Sequence, residues 1–76
     1  MIDTNLLGRR IACARRNAGI TQTTLAKRVG VTAQAVSKWE QGRSCPDIAI
    51  LDEIADALGI SLFELLGMDN GAKNSS

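Results

Sequence analysis

The chain has 76 residues, 45% of them apolar and 22% charged, with a formal net charge of +1; at this length it forms one domain and buries only about 60–65% of its unfolded surface. It has no histidine and no tyrosine, and its two cysteines stand 32 positions apart, so a Cys/His metal site is excluded and acid–base chemistry would fall to carboxylates and lysines. No apolar run approaches the ~18 residues that suggest a membrane span, and the first ten residues carry Asp3, Arg9 and Arg10 without an apolar signal core.

These exclusions predict a cytoplasmic protein that is not an enzyme, with no catalytic residue, metal or cofactor. Cys13 and Cys45 are expected to be reduced thiols, a disulfide being the minority reading. One Trp and one Phe leave the core mostly aliphatic, and one Pro with seven Gly, most at apparent helix ends, predicts an all-α fold.

The first helix is expected from Asn5 to Asn17, with Asp3 or Thr4 as its cap. Leu7, Ile11, Ala14 and Ala18 form one stripe at helical spacing, and Gly19 stops the helix. Thr21 caps a second helix, Gln22 to Val29, whose inward positions are Leu25, Ala26 and Val29. Gly30 interrupts the pattern, and Thr32 caps a third helix from Ala33 to about Gln41, with Val36 and Trp39 inward and Gly42 behind it.

"RSCPD" then reads as a turn, because Pro46 bars helix continuation and pushes Cys45 towards an extended conformation. Asp47 caps a fourth helix, Ile48 to Leu58, with Ile50, Leu51, Ile54, Ala55 and Leu58 on its apolar side. Gly59 ends it. Ser61 opens a fifth, with Glu64 at capping-box spacing, that closes near Leu66 and Gly67. Residues 1–68 are thus expected to form the domain, and 69–76 a flexible tail.

Charge is divided along the chain. Residues 1–43 hold eight bases against two acids, and residues 44–76 hold one base against six. Such a split suits a molecule that meets a polyanion at one end, although chance clustering of solvated charges gives the same count. Two helices joined by three or four residues with a Gly in the turn make a helix-turn-helix, here at 22–41. Ala26 lets the pair cross closely. The outer face of the third helix carries Ala33, Gln34, Ser37, Lys38 and Gln41. That face is polar and free of acids, and a DNA major groove about 12 Å wide admits one such helix.

The stretch "RIACARRNAGITQTTLAKRVGVTAQAVSKWEQGRSCPD" followed by "LDEIADALGISLFELL" resembles the phage repressor and Cro type of helix-turn-helix DNA-binding domain. Gln22, Ala26, Gly30, Val36, the "WEQG" turn, Pro46 and the "ALGIS" corner sit where that family's pattern puts them. The resemblance implies a lambda-repressor-like five-helix bundle that binds double-stranded DNA as a small transcriptional regulator, with repression as the simplest mechanism. It implies that Gln34 and Lys38 reach base edges, with Ala33 and Ser37 beside them in the groove. Gln22 and Arg43 become phosphate contacts, joined by Thr21, Thr32 and Gln41. Ala33 departs from the family, whose phage members often carry a Gln there that reads adenine. The family also pairs the positions of Arg15 and Glu40.

A recognition helix of this length reaches only a few base pairs, so a homodimer on a pseudo-palindromic operator is expected. If Leu62 and Leu65 fill the core, Phe63, Leu66 and Met68 are left as an outward apolar patch for the dimer interface; the alternative is that all of them pack internally. A protein-interaction module, binding a toxin or a regulatory partner, is the rival function.

Overall fold

The computed structural model describes residues 3–68 of the chain. It contains five helices: α1 (Thr4–Asn17), α2 (Gln22–Val29), α3 (Ala33–Glu40), α4 (Ile48–Leu58) and α5 (Leu62–Leu65). The expected tail at 69–76 lies outside the described residues.

Each helix starts on a side chain that accepts an orphan backbone N–H. Asp3 accepts from the N–H groups of Asn5 and Leu6, which settles the choice between Asp3 and Thr4. Thr21 accepts from Thr24, Thr32 from Ala35, Asp47 from Ile50 and Ser61 from Glu64. The third helix ends at Glu40, with Gln41 as its C-cap rather than its last residue.

α3 is held between α1 and α2, with one side left open. It packs against α1 on one side and α2 on the other, while α4 rests on α2 and α5 closes the far end against α1 and α4. The core is aliphatic around one indole: Leu7, Ile11, Leu25, Ala26, Val29, Val36, Trp39, Leu51, Ile54, Ala55, Leu58 and Leu65 form one buried cluster. Trp39 is 7% exposed and lies in it as expected. Ala18 does not extend the stripe of α1. Its backbone caps the helix, and its exposed side chain borders an open groove, because no element packs against α1 beyond its last turn.

The α2–α3 turn works as the sequence suggests. Gly30 takes φ +81°, a left-handed conformation that costs glycine nothing and other residues roughly 1 kcal/mol or more. The carbonyl of Ala26 accepts from both Gly30 N (2.8 Å) and Val31 N (2.9 Å), so one acceptor ends α2 and starts the swing. Ala26 itself is buried.

Gly8 is the residue that fixes how near α1 comes to α3. It lies inside α1, where glycine costs up to about 1 kcal/mol relative to alanine. A Cβ at this position would overlap the carbonyl oxygen of Trp39 and crowd that of Glu40 at 3.0 Å. The absent side chain therefore lets the backbone of α1 lie directly on the last turn of α3. Gly8→Ala should lower stability by about 1–3 kcal/mol, since the clash is with backbone that must shift bodily. Helix propensity alone predicts a gain, so the direction of the urea midpoint decides between them.

Candidate nucleic-acid interface

The N-termini of α2 and α3 and the exposed side of α3 carry the residues singled out in the sequence. Gln34 and Lys38 are exposed and stand four residues apart, hence on one face. Ser37 is half-buried on the neighbouring strip, and Ala33 is half-buried and packed against the core. Thr21, Thr32, Gln41 and Arg43 are exposed, and Gln22 is half-buried.

Several of these side chains already have partners. The hydroxyls of Thr21 and Thr32 accept cap bonds at 3.1 Å from Thr24 N and Ala35 N. Gln41 Nε2 donates to Ser37 Oγ at 2.8 Å, and Arg43 Nη1 donates to Gln41 Oε1 at 3.4 Å. Arg43 can only donate, so this chain orients the Gln41 amide and leaves the Ser37 hydroxyl hydrogen free to be given.

Beneath this surface lies the Arg15–Glu40 pair. Arg15 Nε donates to Glu40 Oε2 at 2.6 Å and Arg15 Nη2 to Glu40 Oε1 at 3.1 Å, a two-pronged arrangement. Only 12% of the Arg15 side chain and 7% of the Glu40 side chain remain exposed. Arg15 Nη1 also donates to the carbonyl of Ile20 at 2.9 Å, and Gln22 Nε2 donates to Glu40 Oε1 at 2.9 Å. The network spans α1, the α1–α2 loop, α2 and α3.

Burial pushes the Glu40 carboxyl up, but hydrogen bonds from Arg15 and Gln22 and the charges of Arg15 and Arg16 outweigh it. The group is held below the ordinary carboxylate range. The hydrogen bond to Glu40 likewise raises Arg15, against the opposing pull of burial. Glu40 is the one acid on α2 or α3, and its charge is paired where it stands.

The family resemblance implied the Arg15–Glu40 pair, but neither the Gln22–Glu40 bond nor the Arg43–Gln41 bond was legible in spacing, unlike the Ser37–Gln41 pair at i, i+4. Gly8 did leave a signal: a glycine in mid-helix, away from any end, marks a packing demand.

Elsewhere the bases have other surroundings. Arg28 Nη1 donates to the carbonyl of Ala57 at 3.3 Å, at the C-terminal end of α4, whose own last turn carries no base. Such a contact suits the partial negative charge there. Arg9, Arg16 and Lys27 are exposed. Cys13 and Cys45 are exposed free thiols. An open groove of about 300 Å³ runs between α1 and the α4–α5 corner, past Arg10, Cys13, Leu58 and Glu64, and shares no residue with α2 or α3. Among the described residues no helix is long and apolar enough to cross a membrane, and no three His, Cys, Asp or Glu side chains gather as a metal site would need.

The patch expected on α5 differs in one residue. Phe63 and Met68 are 62% and 59% exposed. Leu66 is half-buried and packs against the core, because it follows Leu62 by four positions and so lies on the inward stripe with Leu62 and Leu65.

A family model described as helix-turn-helix matches residues 13–65. An uncharacterized HTH-type transcriptional regulator of Bacillus subtilis, YazB, is 36% identical over 64 residues, spanning 84% of this chain and 93% of that one. The cryptic phage CTXphi transcriptional repressor RstR of Vibrio cholerae is 38% identical over 58 residues, 76% of this chain and 52% of that protein. Among solved structures, the P22 c2 repressor in complex with a synthetic operator superposes with a TM-score of 0.75 at 35% identity, covering 82% of this chain and 94% of that one.

The pair makes a stability prediction with a defined sign. Because the folded Glu40 carboxyl lies below its ordinary value, its stabilisation is complete above the ordinary carboxylate range and is lost as pH falls through the lowered value. Glu40→Gln should lower stability at neutral pH by up to about 3–5 kcal/mol, since it leaves Arg15 without its counter-charge. It should also flatten the acid limb of stability against pH. Asp52→Asn, at an exposed position of α4, should change little; equal urea midpoints for the two variants would refute the assignment.

Proposed function

This chain belongs to the helix-turn-helix family of DNA-binding transcriptional regulators, and from that premise we propose that it places α3 and its C-cap, residues 33–41, in the major groove of an operator. It binds double-stranded DNA sequence-specifically. The observation that carries the docking mode is the α2–α3 pair itself. Its turn is set by Gly30, and its outer face is mostly polar, exposed at Gln34, Lys38 and Gln41, and free of uncompensated acid.

Gln34 and Lys38 read base edges, with Ser37 and Ala33 beside them. Gln can pair bidentately with adenine, Lys with guanine, and the Ala33 methyl can meet a thymine methyl. Thr21, Gln22, Thr32, Gln41 and Arg43 face phosphates. The two helix N-termini assist, because their unpaired N–H groups and dipoles favour an anion. Regulation is by repression in the cytoplasm: a protein seated on a promoter excludes polymerase without further machinery. The domain spans residues 1–68.

Binding is as a two-fold dimer. α3 has eight residues, about 12 Å at 1.5 Å per residue, and reaches too few base pairs to single out one site. Two copies with recognition helices about 34 Å apart read half-sites one turn apart. Phe63 and Met68 supply the apolar contact. Leu66, turned partly into the core, supports them from beneath.

Affinity should fall with salt, log K dropping by about 0.9 per neutralised phosphate for each unit of log salt. Lys38→Ala should cost about 1–3 kcal/mol at the preferred base and relax choice there. Arg43→Ala should weaken all sequences alike and reduce the salt slope by about 1. Selection of bound sites from a random duplex pool, repeated for both variants, tests this; equal loss on every sequence for Lys38→Ala refutes its base contact. Phe63→Glu should raise the dimer dissociation constant by at least about tenfold, since a charge left unpaired in an apolar contact costs more than 1.4 kcal/mol. Sedimentation at matched concentration reads it, and an unchanged dimer would place the interface elsewhere.

A further inference from the structure

Gln22 stands at the first position of α2, and its amide is gripped from the protein side. Nε2 lies 2.9 Å from Glu40 Oε1. A carboxylate only accepts, so the nitrogen and not the oxygen must face Glu40, and the flip of the amide is decided. A primary amide nitrogen carries two hydrogens. One is given to Glu40, and one remains to be donated.

The first position of α3 offers no help in holding Gln22, because residue 33 is alanine. The grip comes instead from the last residue of the same helix. Glu40 is itself immobilised by two bonds from Arg15, which is in turn tied to the carbonyl of Ile20 just ahead of α2. A bare carboxylate here would repel a phosphate. The two-pronged contact with Arg15, with the charge of Arg16 also acting on it, offsets that repulsion.

We infer that Glu40 is a positioning residue for DNA binding: its carboxylate orients the Gln22 amide so that the second Nε2 hydrogen is presented to a backbone phosphate, while Arg15 cancels its charge. This rests on the proposed docking of the α2 N-terminus on DNA. The pair thus acts on affinity through Gln22 as well as on the fold.

The test needs variants that release Gln22 without unfolding the chain. Replacing a mostly buried ion pair by apolar side chains of similar size is often neutral in stability, so Arg15→Met with Glu40→Leu serves. Gln22→Ala should weaken binding to a mixed-sequence duplex about tenfold, the order of one charge-assisted hydrogen bond. The pair replacement should weaken it comparably in the otherwise native chain and have no further effect when Gln22 is already alanine. Losses that multiply in the combined variant would overturn the inference, because a merely structural role acts whatever stands at position 22.

An independent reading on the native chain does not depend on any variant folding. Adding the duplex should move one of the two Gln22 side-chain amide protons in a nitrogen–proton correlation spectrum and leave the other, bonded to Glu40, in place. Both moving alike, or neither, overturns it. Failure of the native chain to bind any duplex would sink the DNA-binding reading as well; binding that ignores Gln22 sinks this inference alone.

Discussion

The carboxylate of Glu40 is the point at which three helices are tied. It receives Arg15 from α1 and Gln22 from α2, and it closes the last turn of α3. Through Arg15 the tie extends to Ile20 in the α1–α2 loop. An ion pair this far from water is costly to form and more costly to break, because either partner alone would be left as an unsatisfied charge. Its value is therefore geometric. It holds the end of α3 against α1 and grips the Gln22 amide at the start of α2.

The packing around the pair obeys the same requirement of close approach. Gly8 lets α1 lie against the carbonyls of Trp39 and Glu40, so the guanidinium of Arg15, two turns further along α1, arrives within reach of the carboxylate. Ala26 lets α2 lie close to α3 across the Gly30 turn. Small residues bring the backbones together, and the larger Leu25, Val36, Trp39 and Ile54 fill the volume between. In a core with a single indole, close-packed aliphatic contact carries most of the stabilisation, and every methylene lost is felt.

Helix capping and the proposed contacts with the DNA backbone fall on the same residues of this molecule. Thr21 and Thr32 spend their oxygens on the first turns of α2 and α3. The same positions stand where the helix dipoles favour a phosphate. Local helix stability and the proposed contacts with the DNA backbone are thus set by the same residues. The acidic half of the chain is kept apart, with Asp52, Glu53 and Asp56 on the exposed side of α4, so the field around α2 and α3 stays favourable to a polyanion.

The sequence by itself determined the five helices, every N-cap but the first, which it left between Asp3 and Thr4, and the helix-turn-helix. These depend on residues near one another in the chain: Asp, Ser or Thr at each start, Gly at the stops, and apolar spacing of three and four. It also marked the polar, acid-free strip of α3, because one face of a helix can be read from its period. Tertiary structure alone decided the rest. Ala18 fits the stripe of α1 but finds nothing to pack on. The bond from Gln22 to Glu40 joins residues 18 positions apart, and the Gly8 contact joins α1 to a carbonyl on α3. Periodicity records which face a side chain takes on its own helix, whereas these contacts depend on where another helix lies, and that is settled only when all five pack at once.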